Sequence, residues 1–385
     1  MVKNIAELLS KNNRRKKGII MDEVKLEAAQ IHAGVKVIGF IGEGAWHFAW
    51  KVLKDNKELV LRIPKSVAYG KPVVFNEEAL KAEYAGTELY YQVVNKAVDS
   101  AAPKFFKFHV SPELTYTLES YGGIQIDLHT MTKETAFQTG KEIGKIHRKT
   151  EEVPHGLDGF GYLAWTQDKG LQGTLRGNAS EFLKEESEEH LSDYQTLCAA
   201  LPEYKDNTVS EALQLAVNLR KKAFTKPLLV NQDASPENIL MNGKRVFLID
   251  PYPSIYYPRA IAGNFMNLYE TFFIHLADTE RYRKHRFAAC EENLHLIANG
   301  FIEGYSEGDP QIICEVKGEQ LLQLLETANS HLCLLSEDLA EETRIRYGSK
   351  EEIEDRLHQF SKELKVLAAS QIDNLMIFGH TIKSL

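Results

Sequence analysis

The sequence predicts an α+β protein of two lobes: a small β-rich lobe over residues 31–120 and a larger, mainly helical lobe over 121–385, behind an N-terminal leader of residues 1–30. Three observations predict it. At 385 residues the chain exceeds what one hydrophobic core usually serves. Residues 35–63 read as successive short strands divided by turn residues. Beyond Gly122-Gly123 the pattern becomes largely helical, which makes 119–123 the joint between the lobes.

The elements follow in order. The leader carries the basic run KNNRRKK at 11–17 without the apolar stretch of a secretory signal, so it reads as a solvated segment. Next come VKVIGFI, a glycine turn, HFAWKVL, the polar turn Asp55-Asn56-Lys57, and ELVLRIP, a strand–turn–strand–turn–strand series. After Gly70-Lys71-Pro72, residues 76–95 contain no proline and place Leu80, Tyr84 and Thr87 at helical spacing. KFFKFHV and LTYTLES return to strand character. In the second lobe, 136–149 align Phe137, Ile143 and Ile146 on one side, and a helix over 210–224 is expected to start at Ser210 as its N-cap. Helical stretches are expected over 260–300, 319–340 and 350–380. No internal repeat appears, which excludes solenoids.

Composition narrows the function. A formal charge of −8 argues against a broad nucleic-acid footprint, because such surfaces neutralise phosphates with clustered Lys and Arg. No apolar run is long enough to span a bilayer, so no membrane partner is expected. Cys198, Cys290, Cys314 and Cys333 are widely spaced and read as reduced, mostly buried thiols of a cytoplasmic protein. A neutral or cationic small molecule is the partner that fits.

The chemistry concentrates in LLVNQDASPENILMNGKRVFLIDPYP, residues 228–253. Asp233 stands five residues before Asn238 in a segment rich in Pro, Ser and Asn, which marks a loop. Asp250 ends the run Arg245-Val246-Phe247-Leu248-Ile249, suited to a buried strand. Carboxylate and carboxamide oxygens on a loop and a strand end suit Mg²⁺, which prefers hard oxygen ligands and keeps several waters. In FIGEGAWHFAW, Gly42 and Gly44 lie between two strands, where backbone N–H groups can approach phosphate without a Cβ in the way. A Walker-type loop is excluded, since none of the Gly-Lys pairs is followed by Ser or Thr.

In this order, a glycine turn, a strand cation at Arg62, a helix acid at Glu83, a joint, D-x-x-x-x-N and a strand-end Asp, the chain resembles the protein kinase plan. It resembles more closely the aminoglycoside phosphotransferase and choline kinase-like family of small-molecule kinases. The resemblance covers roughly residues 35–275 and rests on NQDASPENILMNGKRVFLIDPYP, LVLRIPK and GKEIGKIHRKT. It implies a protein kinase-like fold with a nucleotide-binding N-lobe and a catalytic, acceptor-binding C-lobe. It implies ATP and Mg²⁺ as cofactors, and a small hydroxyl-bearing acceptor such as an aminoglycoside or another amino-containing alcohol. Asp233 would be the catalytic base and Asn238 and Asp250 the metal ligands. Gly42 and Gly44 would cradle phosphates, Arg62 would pair with them, and Glu83 would partner Arg62. Glu119, Ser120 and Tyr121 would meet the adenine through backbone groups.

Two positions depart from the family pattern. Asn231 stands where histidine is usual, and Arg62 where lysine is usual, with Lys65 nearby. Glu77, Glu78 and Glu88 share the helix of Glu83. DPYPSIYYPRAIAGN lacks the D-F-G and A-P-E signals of a protein kinase activation loop. A pseudokinase that binds nucleotide or a partner without transfer is the alternative, disfavoured by the intact Asp233, Asn238 and Asp250. The sequence leaves open whether Tyr252, Tyr256, Tyr257 and Phe265 line an acceptor pocket or pack the core.

Overall fold

The computed structural model describes residues 22–377; the basic run at 11–17 and the last residues, 378–385, lie outside the described residues. A helix over 22–33 (α1) leads into strands β1 (Lys36–Glu43), β2 (His47–Lys54) and β3 (Lys57–Pro64). The β2–β3 connection is the two-residue loop Asp55-Asn56, both with positive φ (48° and 59°), the mirror-image turn whose twist matches the strands it joins. A short hairpin, β4 (Val67–Ala68) and β5 (Lys71–Pro72), precedes helix α2 (Glu77–Ala97). The Asn76 side chain caps α2 by accepting from the Ala79 N–H at 3.0 Å. Strands β6 (Phe106–Val110) and β7 (Thr115–Ser120) complete an antiparallel sheet in the order β1-β2-β3-β7-β6. Alternation along β3 buries Leu59, Leu61 and Ile63 with Tyr116, Leu118 and α1 residues Ala29 and Ala33, and turns Val60 and Arg62 to the opposite face.

Two short sheets then hold the chain around residues 228–256. Strand β8 (Ile124–Gln125) pairs with β12 (Ile239–Asn242), which pairs with β13 (Arg245–Leu248). Gly122 lies where a Cβ would stand 1.9 Å from the Phe247 ring, so the joint between lobes packs backbone onto the β13 side chain. Helix α3 (Lys133–Thr150) is followed by the hairpin β9 (Phe160–Thr166) and β10 (Gly170–Leu175), then by α4 (Ala179–Ala200) and α5 (Asn207–Ala223). The hairpin joins β11 (Leu228–Asn231) and β14 (Pro253–Tyr256) in a sheet ordered β10-β9-β14-β11.

The remainder is helical: α6 (Pro258–Asn267), a π-helical turn at Leu268–Phe272, α7 (Phe273–His275), α8 (Glu291–Ser306), α9 (Pro310–Ser336), α10 (Glu341–Tyr347) and α11 (Lys350–Ile377). Helices α3 and α8 approach so closely that a Cβ at Gly140 would stand 1.9 Å from the Ile297 carbonyl oxygen.

Two expectations need correction, and one hairpin lies outside them. Helix α5 starts three residues earlier than Ser210 because Asp206 takes the cap, accepting from the Val209 N–H at 3.1 Å. The helix expected over 260–300 is interrupted between Leu276 and Cys290, where the chain leaves the helix and sends Arg281, Lys284 and His285 onto Glu237. The β9–β10 hairpin was not foreseen; its second partner, β14, lies some ninety residues on, beyond any local pattern. Of the cysteines, Cys290 and Cys314 are buried, Cys198 is half-buried and Cys333 is exposed.

Candidate active site

The loop from Asn231 to Asn238 owes its shape to side-chain amides and carboxylates that take over backbone partners. Asn231, buried at the end of β11, donates from Nδ2 to the Asp233 carbonyl at 3.0 Å and accepts at Oδ1 from the N–H groups of Asp233 (3.0 Å) and Tyr252 (2.8 Å). One amide thus grips both sides of Asp233 and ties the loop to the segment after Asp250. Asp233 Oδ1 accepts from the Ser235 N–H at 3.2 Å. Burial raises the Asp233 carboxyl above its ordinary range; the Ser235 bonds oppose that, and the charges of Asp250 and Glu237 add to it.

A 3₁₀ turn, Pro236–Asn238, delivers Asn238 beside Asp250. Asn238 Nδ2 donates to the Asp250 carbonyl at 3.3 Å, and the Ile249 N–H donates to the Asn238 carbonyl at 3.0 Å. Asp250 itself has φ 49°, a left-handed conformation that costs a non-glycine residue energy and persists only when its surroundings hold it. Its N–H is held by the Tyr91 hydroxyl at 3.0 Å, and Tyr91 in turn donates to Glu119 Oε2 at 3.3 Å.

Above this floor stands Arg62, whose Nη2 lies 2.7 Å from Asp250 Oδ2. Burial works to raise the Asp250 carboxyl, but the charge and hydrogen bond of Arg62 prevail and hold it below its ordinary range. Glu119, on the same sheet face and only 3% exposed, is pushed up to about 7 by burial, with Arg62 opposing. Glu83 keeps access to solvent, yet crowding by the cleft walls, then the charge of Asp250, push it up to about 7 as well. The direct partner of Arg62 is therefore Asp250, while Glu83 acts on it only through space. Lys65 turns elsewhere: its Nζ is 2.7 Å from Glu43 and lies over the Phe48 ring.

Gly42, the penultimate residue of β1, pairs with Ala49, and the Gly44 N–H donates to the His47 carbonyl at 2.9 Å, closing the glycine turn. Neither glycine has positive φ, and a Cβ at Gly42 would meet nothing within 4 Å. The turn's backbone does not demand glycine; open space beside it is what the two residues leave. Trp46, in the same turn, meets the Tyr69 ring edge-on, and Tyr69 lies against the Arg346 guanidinium of α10 in the other lobe. At the joint, the Ser120 N–H is engaged by the Phe105 carbonyl and Ser120 Oγ by the Lys104 N–H, so Tyr121 is the first residue outside the ladder.

Several site residues escaped sequence reasoning. Tyr91 shares the buried face of α2 with Tyr84 and Thr87, a spacing that signalled burial but not the bond to Asp250. Tyr269 donates to the Ala234 carbonyl at 2.8 Å. Glu237 is held by Arg281, Lys284 and His285; burial would raise its carboxyl, but the bonds and charges of His285 and Arg281 lower it to about 2. Of the four aromatic residues beyond Asp250, Tyr257 and Phe265 are buried and Tyr256 hydrogen-bonds the buried Arg220. Tyr252 alone is largely exposed, with Tyr162 at 5.8 Å between ring centroids. A cavity of about 500 Å³ lies apart from these residues, between the 278–283 turn and the α10–α11 junction.

Among the described residues no cluster of three or more His, Cys, Asp or Glu side chains could hold a metal unaided. The Asp250 carboxylate and the Asn238 amide oxygen fit Mg²⁺ as the few protein ligands of an ion otherwise held by water and phosphate. Neither a protein-family model nor a curated protein matches the sequence. Solved structures do. The aminoglycoside phosphotransferase APH(4)-Ia, as a thermostable mutant in ternary complex with AMP-PNP and hygromycin B, matches at 14% identity and TM-score 0.51, over 90% of this chain and 98% of that one. The chain has the aminoglycoside phosphotransferase fold. A second mutant of that enzyme, with ADP and hygromycin B, matches at 14% identity and TM-score 0.50 over the same shares. A choline/ethanolamine kinase family protein from Mesorhizobium loti matches at 16% identity and TM-score 0.47, over 91% of this chain and 99% of that one. No described helix is long and apolar enough to cross a membrane.

Proposed function

We propose that the protein is a small-molecule kinase that moves the γ-phosphate of ATP to a hydroxyl group. The observation that carries this reading is the convergence in one cleft of Asp233, the Asn238–Asp250 pair and Arg62. Phosphoryl transfer asks for positioning and charge neutralisation more than for covalent help, and these groups supply both. Mg²⁺, held by Asp250 and Asn238, would supply charge neutralisation at the phosphates. Arg62 exchanges its bond to Asp250 for phosphate oxygens. Gly42 and Gly44 leave room for phosphate beside the turn, and the backbone from Tyr121 onward meets the base.

Asp233 accepts or orients the proton of the acceptor hydroxyl. Its raised pKa suits that task, because a base nearer the working pH transfers protons more effectively. The neighbours crystallised with hygromycin B support an aminated, hydroxyl-rich acceptor, and Tyr252 with Tyr162 offers an aromatic edge to it. The experiment is Mg²⁺-dependent transfer of radiolabelled γ-phosphate to a panel of aminoglycosides, amino sugars, choline-like amino alcohols and nucleosides. Transfer to one member is expected. Tight nucleotide binding with transfer to none, and no ATP turnover, identifies a pseudokinase instead.

A further inference from the structure

The π-helical turn Leu268–Phe272 begins directly at the end of α6, and its i→i+5 pattern includes a Phe273 N–H bond to the Leu268 carbonyl. Such one-turn widenings inside helices recur at functional sites, because they re-aim side chains that a regular helix would carry elsewhere. Tyr269 lies on this turn. It is fully buried, stacked on Phe265 at 4.3 Å and 16° between planes, and Phe265 is stacked on Phe301 at 4.0 Å. At the end of this rigid column the Tyr269 hydroxyl donates to the Ala234 carbonyl at 2.8 Å.

That carbonyl belongs to the residue directly after Asp233. Asn231 already holds the N–H and the carbonyl of Asp233 from the β11 side. Tyr269 pins the next peptide from the helical side, so the backbone carrying the Asp233 carboxylate is clamped from two directions. We infer that Tyr269 is a positioning residue for phosphoryl transfer, acting through the Ala234 carbonyl to fix the Asp233 carboxylate against the acceptor. The inference rests on the proposed role of Asp233. Burial, followed by the nearby Asp233 charge, pushes the Tyr269 phenol well above its ordinary range, so it remains a donor throughout the working pH range.

Thr271 provides an internal comparison. It lies on the same turn, is equally buried, and donates to Glu363 of α11 at 2.6 Å, away from the catalytic loop. Tyr269→Phe keeps the stacked ring and removes one hydroxyl; Thr271→Val removes one hydroxyl of comparable burial. Both are measured in the full chain with Mg²⁺, ATP and the acceptor that wild type phosphorylates best, or with water as acceptor through ATP hydrolysis. Tyr269→Phe is expected to lower kcat about tenfold, with KM for ATP within about twofold and the deficit constant across pH, since the missing donor does not titrate. A tenfold loss corresponds to about 1.4 kcal/mol in the barrier. Thr271→Val is expected to melt earlier without losing kcat. Equal kcat in wild type and Tyr269→Phe, or equal loss in both variants, overturns the positioning role. A wild type without any turnover overturns the kinase reading itself and the inference with it.

Discussion

Replacing Glu119 with glutamine tests the charge arrangement around Arg62 without touching any group assigned to transfer chemistry. The Glu119 carboxyl is buried to 3% exposure, accepts from the Tyr91 hydroxyl, feels the charge of Arg62 without contacting it, and is pushed up to about 7 from an ordinary 4.5. A folded-state pKa raised above the unfolded one means that the folded protein binds the proton more tightly. The associated stability is present below about pH 4.5 and lost as pH rises through 7. About two and a half pKa units at 1.36 kcal/mol each give roughly 3 kcal/mol as the span of that loss. Burial is nearly complete, so solvent screening removes little of it. Urea unfolding of wild type and Glu119→Gln at pH 5 and pH 8 isolates this group, because Glu83, His47 and Glu319 contribute alike to both proteins. Because pH 5 already lies above the unfolded value, the difference in stability between the proteins is expected to shift by about 2.5 kcal/mol in favour of glutamine between the two pH values. A difference that stays constant with pH means that Arg62 keeps Glu119 ionised throughout, and refutes the placement of its titration near neutrality.

Two further outcomes follow from the same geometry. Mg²⁺ with ATP is expected to raise the thermal stability of wild type by the equivalent of about 2.7 kcal/mol at a hundred times Kd. Asp250→Ala removes that Mg²⁺-dependent gain; an equal gain in the variant counts against Asp250 as a ligand. Arg62→Ala is expected to weaken ATP use far more than Lys65→Ala, since Arg62 reaches Asp250 while Lys65 is engaged by Glu43 on β1. A steady-state comparison in which Lys65→Ala is the more damaging would place the phosphate cation on the wrong side chain.

What the sequence made legible was local. Alternation at Leu59, Leu61 and Ile63 is enough to turn Arg62 away from the N-lobe core, and the structure has it so. The turn residues around Asp233 and the apolar run before Asp250 separate loop from strand without help from tertiary contacts. Local choice failed where two readings were equally good. Asp206 and Ser210 both make sound caps, and only the start of α5 decides between them. It failed completely where partners are distant. The β9–β10 hairpin pairs with β14, and the segment between Leu276 and Cys290 brings Arg281 onto Glu237, contacts that no periodicity carries. The family resemblance, not spacing, points to Glu83 as the partner of Arg62, whereas the direct contact of Arg62 is with Asp250. Tyr91 and Tyr269 carry no sequence signal beyond their apolar surroundings; the structure buries both and brings their hydroxyls to the Asp250 N–H and the Ala234 carbonyl.

The central claim is that Asp233 handles the acceptor proton, and phosphate transfer by wild type and Asp233→Asn against one acceptor panel tests it most directly. The substitution keeps size and the Ser235 contact while removing basicity. Nucleotide affinity should stay nearly unchanged, because Arg62, Asn238 and Asp250 are intact. Turnover of the true acceptor should fall by about 10²- to 10⁴-fold, the usual worth of a positioned general base. kcat and kcat/KM should fall together, as they do when an interaction made only in the transition state is lost. Equal rates of transfer in the two proteins would contradict the account.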